Sequence, residues 1–337
     1  VQTCALPISA IMVEYAAAFA GLPLAGLLVW RLRHGAPRGP LAAAIAGAWL
    51  PVIALAGYHT VVFGGPLSTG YHHVTDAGFA RTHGEGLLGL GLPTRASLFE
   101  HLVSPWGGLL VWAPLVAVAL AVALWRWRSL DPEERVATAV LALLVAIVAG
   151  LGQTGGWRVG PRYLVLAMPL GIYGLVRLLN GVRGRTVLAG LVLGVALAST
   201  VLEAAAANLF PHLVPHGNPW SDLLVPLAAE GRMTWSLVPW AGGIAPWALA
   251  LVVLVPLVLV GGSVVRCVVP PKPAATRSRR IASVLGLGLA VATGLLVAAL
   301  ELPGHPEAEA ELAAVRSIWE PDGPRPPLDP VLAPLPE

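Results

Sequence analysis

The sequence predicts an all-α protein: a polytopic transmembrane helix bundle of about eight helices. Three observations carry this expectation. Of 337 residues, 56% are hydrophobic and only 12% charged, with a mean hydropathy of +0.76. That is too little charge to cover a water-soluble globule of this size. Eight segments also approach the ~20 mostly apolar residues needed to cross ~30 Å of hydrocarbon. Finally, arginine and lysine gather in every second connection between those segments, as expected of loops retained on the cytoplasmic side.

Taken in order, the segments are 9–30, 40–63, 108–126, 136–153, 162–178, 186–206, 243–265 and 281–300. Arg31, Arg33 and Arg38 follow the first. Arg126, Arg128 and Arg135 separate the third from the fourth, and Arg177, Arg183 and Arg185 the fifth from the sixth. Arg266, Lys272, Arg277, Arg279 and Arg280 lie between the seventh and eighth. These connections hold 14 of the 21 basic residues although most are shorter than the loops between them. The expected bundle therefore occupies 9–301, with long outer loops at 64–107 and 207–242, a short one near 154–161, and both termini outside. The segment 302–337 reads as a Pro-rich, acidic, poorly ordered outer tail. Its stretch "PDGPRPPLDPVLAPLPE" cannot sustain a helix, because each proline lacks a backbone donor.

At the other end, "VQTCALPI" (Val1 to Ile8) resembles the translation of a sequencing adapter, so residues 1–8 are expected to be an artefact and Cys4 with them. Cys4 and Cys267 show no metal-ligand spacing, and no metal site or cofactor is assigned to this chain. The net charge of +3 and pI near 9.2 do not imply nucleic acid, because the basic residues are scattered singly between apolar runs. "GLVLG" (Gly190 to Gly194) places two glycines at the spacing of a small-residue helix-packing face, which reads as ordinary helix packing.

Four stretches carry candidate chemistry. "HGEGLLG" (His83 to Gly89) matches GxGxxG formally but lacks the strand and helix of a nucleotide-binding unit, so it reads as a turn. "YHHVTDAGFARTHGE" (Tyr71 to Glu85) offers ligand-type atoms at unspecific spacing. A solvated polar loop is one reading; otherwise its His, Asp and Tyr edges, His73 and Asp76 among them, suit a sugar better than a metal. Glu14 sits inside the first apolar segment; an intramembrane carboxylate either faces a partner or aqueous cavity, or reaches water past the helix end. In "GGWRVGPRYLVLAMPL" (Gly155 to Leu170), Arg158 and Arg162 stand at the outer mouth of the fifth segment, against the positive-inside bias. A guanidinium fork matches phosphate oxygens, and a helix start adds a positive field. Pro161 suits the first helical position. These features point to a lipid-phosphate site, the alternative being ordinary headgroup anchoring, with Trp157 and Tyr163 in the aromatic belt.

This last stretch resembles the "GG…GPRYL…P" segment of bacterial polytopic glycosyltransferases of the GT-C class, related to the protein-mannosyltransferases and the lipid A aminoarabinose transferases. "VEYAAAFAG" (Val13 to Gly21), "YHTVVFGGPLSTGYHH" (Tyr58 to His73) and "LFEHLVSPWGGLLVWAPL" (Leu98 to Leu115) are similar to segments in the same order in such proteins. The resemblance covers about Val13 to Leu179. It implies a multi-pass protein of the bacterial cytoplasmic (inner) membrane that moves a sugar from a polyprenyl-phosphate carrier to an acceptor on the outer side. It further implies Arg158, Arg162 and Tyr163 as contacts to the carrier phosphate. Because the family's catalytic acid lies in a first outer loop ahead of these segments, this chain is expected to be a C-terminal fragment, inactive alone. A divalent metal in the full-length protein is left open. A transporter, flippase or structural membrane subunit is the alternative class, disfavoured by spans nearly free of charge at their centres.

Overall fold

The computed structural model describes residues 19, 21–35, 37–68, 70–73, 91–151, 160, 164–165, 168–209, 217–230, 246–271 and 274–318. Among them 81% are helical and no strand forms, so the all-α class holds. In chain order the helices are α1 (Gly21–Arg33), α2 (Arg38–Phe63), α3 (Arg95–Leu102), α4 (Leu109–Trp112), α5 (Pro114–Trp125), α6 (Pro132–Ala149), α7 (Ile172–Val182), α8 (Thr186–Asn208), α9 (Val225–Ala229), α10 (Pro246–Val268), α11 (Ala274–Leu300) and α12 (Ala308–Ile318). Four contain stretches long and apolar enough to cross a membrane: Ile45–Phe63, Thr186–Asn208, Ala250–Val268 and Ala275–Leu300. Large apolar side chains such as Val61, Val258, Leu259 and Leu289 stand exposed on them. Water would penalise that surface at roughly 25 cal/mol per Å², whereas lipid does not.

The other expected spans are shorter, for local reasons. The segment 108–126 divides at Ala113, because Pro114 disfavours an α conformation in the residue before it. Helix α6 has 18 residues, but its first turn carries Glu133, Glu134 and Arg135. Within 162–178 a 3-10 turn at Met168–Gly171 precedes the 11-residue α7. Helix α1 has 13 residues, and positions 9–18 lie outside the described residues.

The chain divides into two compact units. The first comprises 1–103, 116–155 and 161–178. In it α6 is the centre, packed by α1, by α3 and by the Met168–Gly171 turn. Gly174 of α7 lies so close to the Ala119 carbonyl of α5 that no side chain fits there. Pro132 occupies the first position of α6, and the Asp131 N–H donates to Glu134 Oε2 at 3.0 Å. The same carboxylate pairs with Arg177, while Glu133 pairs with Arg31. Thus the basic connections expected on one side do converge at one end of this unit. At the other end of α6, Ser97 Oγ donates to the Ala149 carbonyl at 2.6 Å and the Gly91 N–H to Gly150 O at 2.9 Å. The expected outer loop 64–107 is therefore partly helical, its α3 started by reciprocal bonds between Thr94 and Ser97.

The Arg177 guanidinium, hydrogen-bonded to Glu134, holds that carboxyl below the usual carboxylate range, against the opposing effect of burial. Since the folded value is the lower one, the stabilisation is complete above the unfolded value near 4.3 and is lost as pH falls through the folded value. Glu134→Gln is expected to cost about 1 kcal/mol, roughly 2 °C in a detergent melt at pH 7. The gap from wild type should close below about pH 4. A pH-independent gap would show that the pair contributes nothing.

The second unit comprises 104–115, 156–160 and 179–337. Helix α8 is its axis, packed along α11 and α10. A Cβ added at Gly190 would stand 2.6 Å from Leu287 Cδ2, and one at Gly288 would stand 2.7 Å from Leu193 Cδ2. The glycines expected to form a packing face do so, because their missing side chains admit the opposing helix. These pairings run in the same direction along α8 and α11, whereas Gly261 of α10 meets Leu197 on a reversed helix. Where α8 starts, the Gly184 N–H donates to Val268 O at 2.9 Å, joining the basic connections that flank α8 and α11. At the opposite end, the buried Asn218 amide donates to the Ala299 and Leu302 carbonyls at 2.7 and 3.1 Å, satisfying groups left open at the end of α11.

The expected outer loop 207–242 and the tail correct in part. Within 207–242, a π-helical turn at Trp220–Leu224 continues into α9. The tail carries α12, whose Leu312 and Val315 pack on Leu223 and Leu227 and whose Arg316 pairs with Glu230. The stretch 308–318 has no proline and is rich in alanine and glutamate, with acids in its first turn and Arg316 in its last, which suits the helix dipole. Within the expected tail, 308–318 is therefore a packed helix; positions 319–337 lie outside the described residues.

Candidate functional site

At the end of the second unit opposite its arginines, two stretches distant in sequence meet. The Ser104–Gly108 turn is closed by Gly108 N–H to Ser104 O at 2.9 Å and Gly107 N–H to Ser104 Oγ at 3.2 Å. It delivers Trp112, only 2% exposed, whose indole N–H donates to Pro105 O at 2.7 Å. Trp112 then packs with Leu202, Ala205, Ala206, Leu209 and Leu224. Against this turn lies Gly160, at φ +79, with its N–H on Trp106 O at 2.8 Å. The positive φ selects glycine there. A Cβ at Gly160 would fall 3.7 Å from Trp112 Cγ and 3.8 Å from Glu203 Oε1. The Glu203 carboxylate, exposed and without an ion-pair partner among the described residues, therefore stands beside the turn.

Of the residues singled out in the sequence, Arg158, Arg162, Tyr163, Asp76 and Glu14 lie outside the described residues. Gly160, two positions from both Arg158 and Arg162, is itself described. His73 is described in the first unit. It ends the Gly70–His73 turn, exposed, with its ring stacked on Phe63 at 5.2 Å and Nε2 placed 3.2 Å from Ser68 Oγ. The neighbouring His59 is buried and donates from Nδ1 to Pro66 O at 3.3 Å, which ties the chain leaving α2. Among the described residues, no three His, Cys, Asp or Glu side chains gather as a metal site. Glu203, which the sequence places only as a carboxylate close to an outer helix end, is the residue the structure brings to this turn. Its signal was present, since it is the only carboxylate between Glu134 and Asp222 and it stands on an apolar helix.

The class that fold and site define is an all-helical protein with four helices able to cross a membrane, carrying a carboxylate beside a glycine turn at one end of its second unit. Compared with protein-family models, with curated proteins and with solved structures, the chain finds no match.

Proposed function

We propose that this protein belongs to a membrane glycosyltransferase that moves a sugar from a polyprenyl-phosphate donor to an acceptor on the outer side of a bacterial cytoplasmic membrane. One observation carries the reading furthest. Two of the stretches that carry the resemblance meet where the Gly160 N–H donates to Trp106 O, and an unpaired carboxylate, Glu203, stands beside Gly160. In this reading Arg158, Arg162 and Tyr163 hold the carrier phosphate. The arginines neutralise charge that accumulates on the leaving phosphate in the transition state. Glu203 accepts a hydrogen bond from a hydroxyl of the sugar or acceptor. The four shorter apolar segments complete an eight-span bundle, some of them as interrupted helices buried by protein.

The test uses the full-length gene product with a polyprenyl-phosphate-linked sugar. Glu203→Gln keeps the shape and loses the charge-assisted bond, so transfer should fall about tenfold to a hundredfold while the melt is unchanged. A full rate in Glu203→Gln would remove Glu203 from the site. No carrier-dependent transfer by the wild type would overturn the reading in favour of a transporter-like or structural membrane protein.

A further inference from the structure

We propose that the arginine-rich end of the second unit binds the phosphodiester headgroup of an anionic phospholipid, in the shallow cleft between the Gly184 turn and the chain joining α10 to α11. This goes beyond sugar transfer and involves the opposite end of α8.

The charge there is unbalanced. Positions 135–202 and 231–300 contain no aspartate or glutamate. Arg183, Arg185, Arg266, Arg277, Arg279 and Arg280 accordingly have no acidic partner among the described residues. The basic end of the first unit is different: Arg31 and Arg177 are paired with glutamates, and Arg135 donates to the Trp127 and Arg128 carbonyls at 3.2 Å. Guanidinium groups without acidic partners repel one another where they approach, unless an anion joins them.

The cleft supplies a specific seat among these charges. Gly184, at φ +78, turns the chain so that its N–H meets Val268 O and its carbonyl accepts from Arg280 Nη1 at 3.3 Å. That bond orients the half-buried Arg280 on the cleft wall and leaves its other N–H donors for a ligand. Arg185 and Thr186 line the same cleft at the start of the 23-residue α8, which has no side-chain cap. The unpaired N–H groups of that first turn favour an anion, and a fork of donors beside them fits phosphate oxygens.

The surroundings choose a lipid over a free anion. Immediately beyond Arg185 the side chains of Val187 and Leu188 are exposed, as is Leu285 on α11. A ligand seated by its phosphate would lay apolar chains along that surface, which free phosphate cannot cover.

Native mass spectrometry of the purified protein in mild detergent, with phosphatidylglycerol or phosphatidylcholine added, tests this. Wild type should retain phosphatidylglycerol about tenfold better than phosphatidylcholine, and the double variant R185Q/R280Q should lose about tenfold or more of that retention, the scale of one charge-assisted hydrogen bond. R277Q/R279Q removes the same charge from outside the cleft and should stay within about threefold. Arg185 is exposed and its side chain makes no hydrogen bond or ion pair among the described residues, so R185Q alone should lower retention several-fold with unchanged helical circular dichroism. Equal losses in the two double variants, no loss in R185Q, or equal retention of both lipids would overturn the site. Displacement of the lipid by millimolar inorganic phosphate would overturn its assignment to a phospholipid.

Discussion

Gly194→Ala is expected to destabilise the second unit by about 1–3 kcal/mol, the range for overpacking a filled interface. The added Cβ would stand 2.5 Å from Val291 Cβ and 2.8 Å from the Gly288 carbonyl, distances that require α8 and α11 to separate. A flexible side chain could swing away, but here the obstacle includes backbone and a β-branched Cβ, so relief must come from moving a helix. Gly194→Val should be worse. Gly286→Ala on α11 is the matched control: its new Cβ meets nothing within 4 Å. That substitution should be neutral or stabilising by up to about 1 kcal/mol, because alanine loses less freedom in a helix. Thermal unfolding in detergent followed by tryptophan fluorescence separates the two. Equal midpoints for Gly194→Ala and Gly286→Ala would mean that the α8–α11 approach is not as close as described.

The largest functional effect is expected at Arg162. If its guanidinium forms a bidentate contact to the carrier phosphate, Arg162→Lys keeps the charge and loses the fork, while Arg162→Ala loses both. A charge-assisted hydrogen bond contributes ~1.5–3 kcal/mol, so alanine should lower transfer by roughly one to two orders of magnitude, with lysine recovering only part. Initial rates in the full-length gene product at matched membrane abundance provide the comparison. An arginine that merely anchors a helix end in lipid headgroups is replaceable by lysine with full activity, and that result would withdraw Arg162 from the carrier site.

The alternation of basic and non-basic connections was legible from charge alone, and it reappears as contacts. Arg31 and Arg177 converge on adjacent glutamates at one end of the first unit, and Gly184 meets Val268 and Arg280 at one end of the second. The tail was misjudged because its composition was averaged over 36 residues. Prolines crowd its end, while 308–318 alone has the residues and charge order of a helix. Glu203 was visible but without context, since no spacing rule links a carboxylate on α8 to a glycine 43 positions earlier.

What the sequence by itself determined is what depends on local composition: the all-α class, the apolar helices α2, α8, α10 and α11, the glycine face of α8, and the segregation of basic residues. Hydropathy and the backbone's need for internal hydrogen bonds in lipid act residue by residue, so a linear reading captures them. Only the tertiary structure decided which arginines have glutamate partners, and that Glu203 stands beside Gly160 and Trp112. Those outcomes rest on contacts between residues far apart in the chain, whose distances are set when helices pack and not by any order along the sequence.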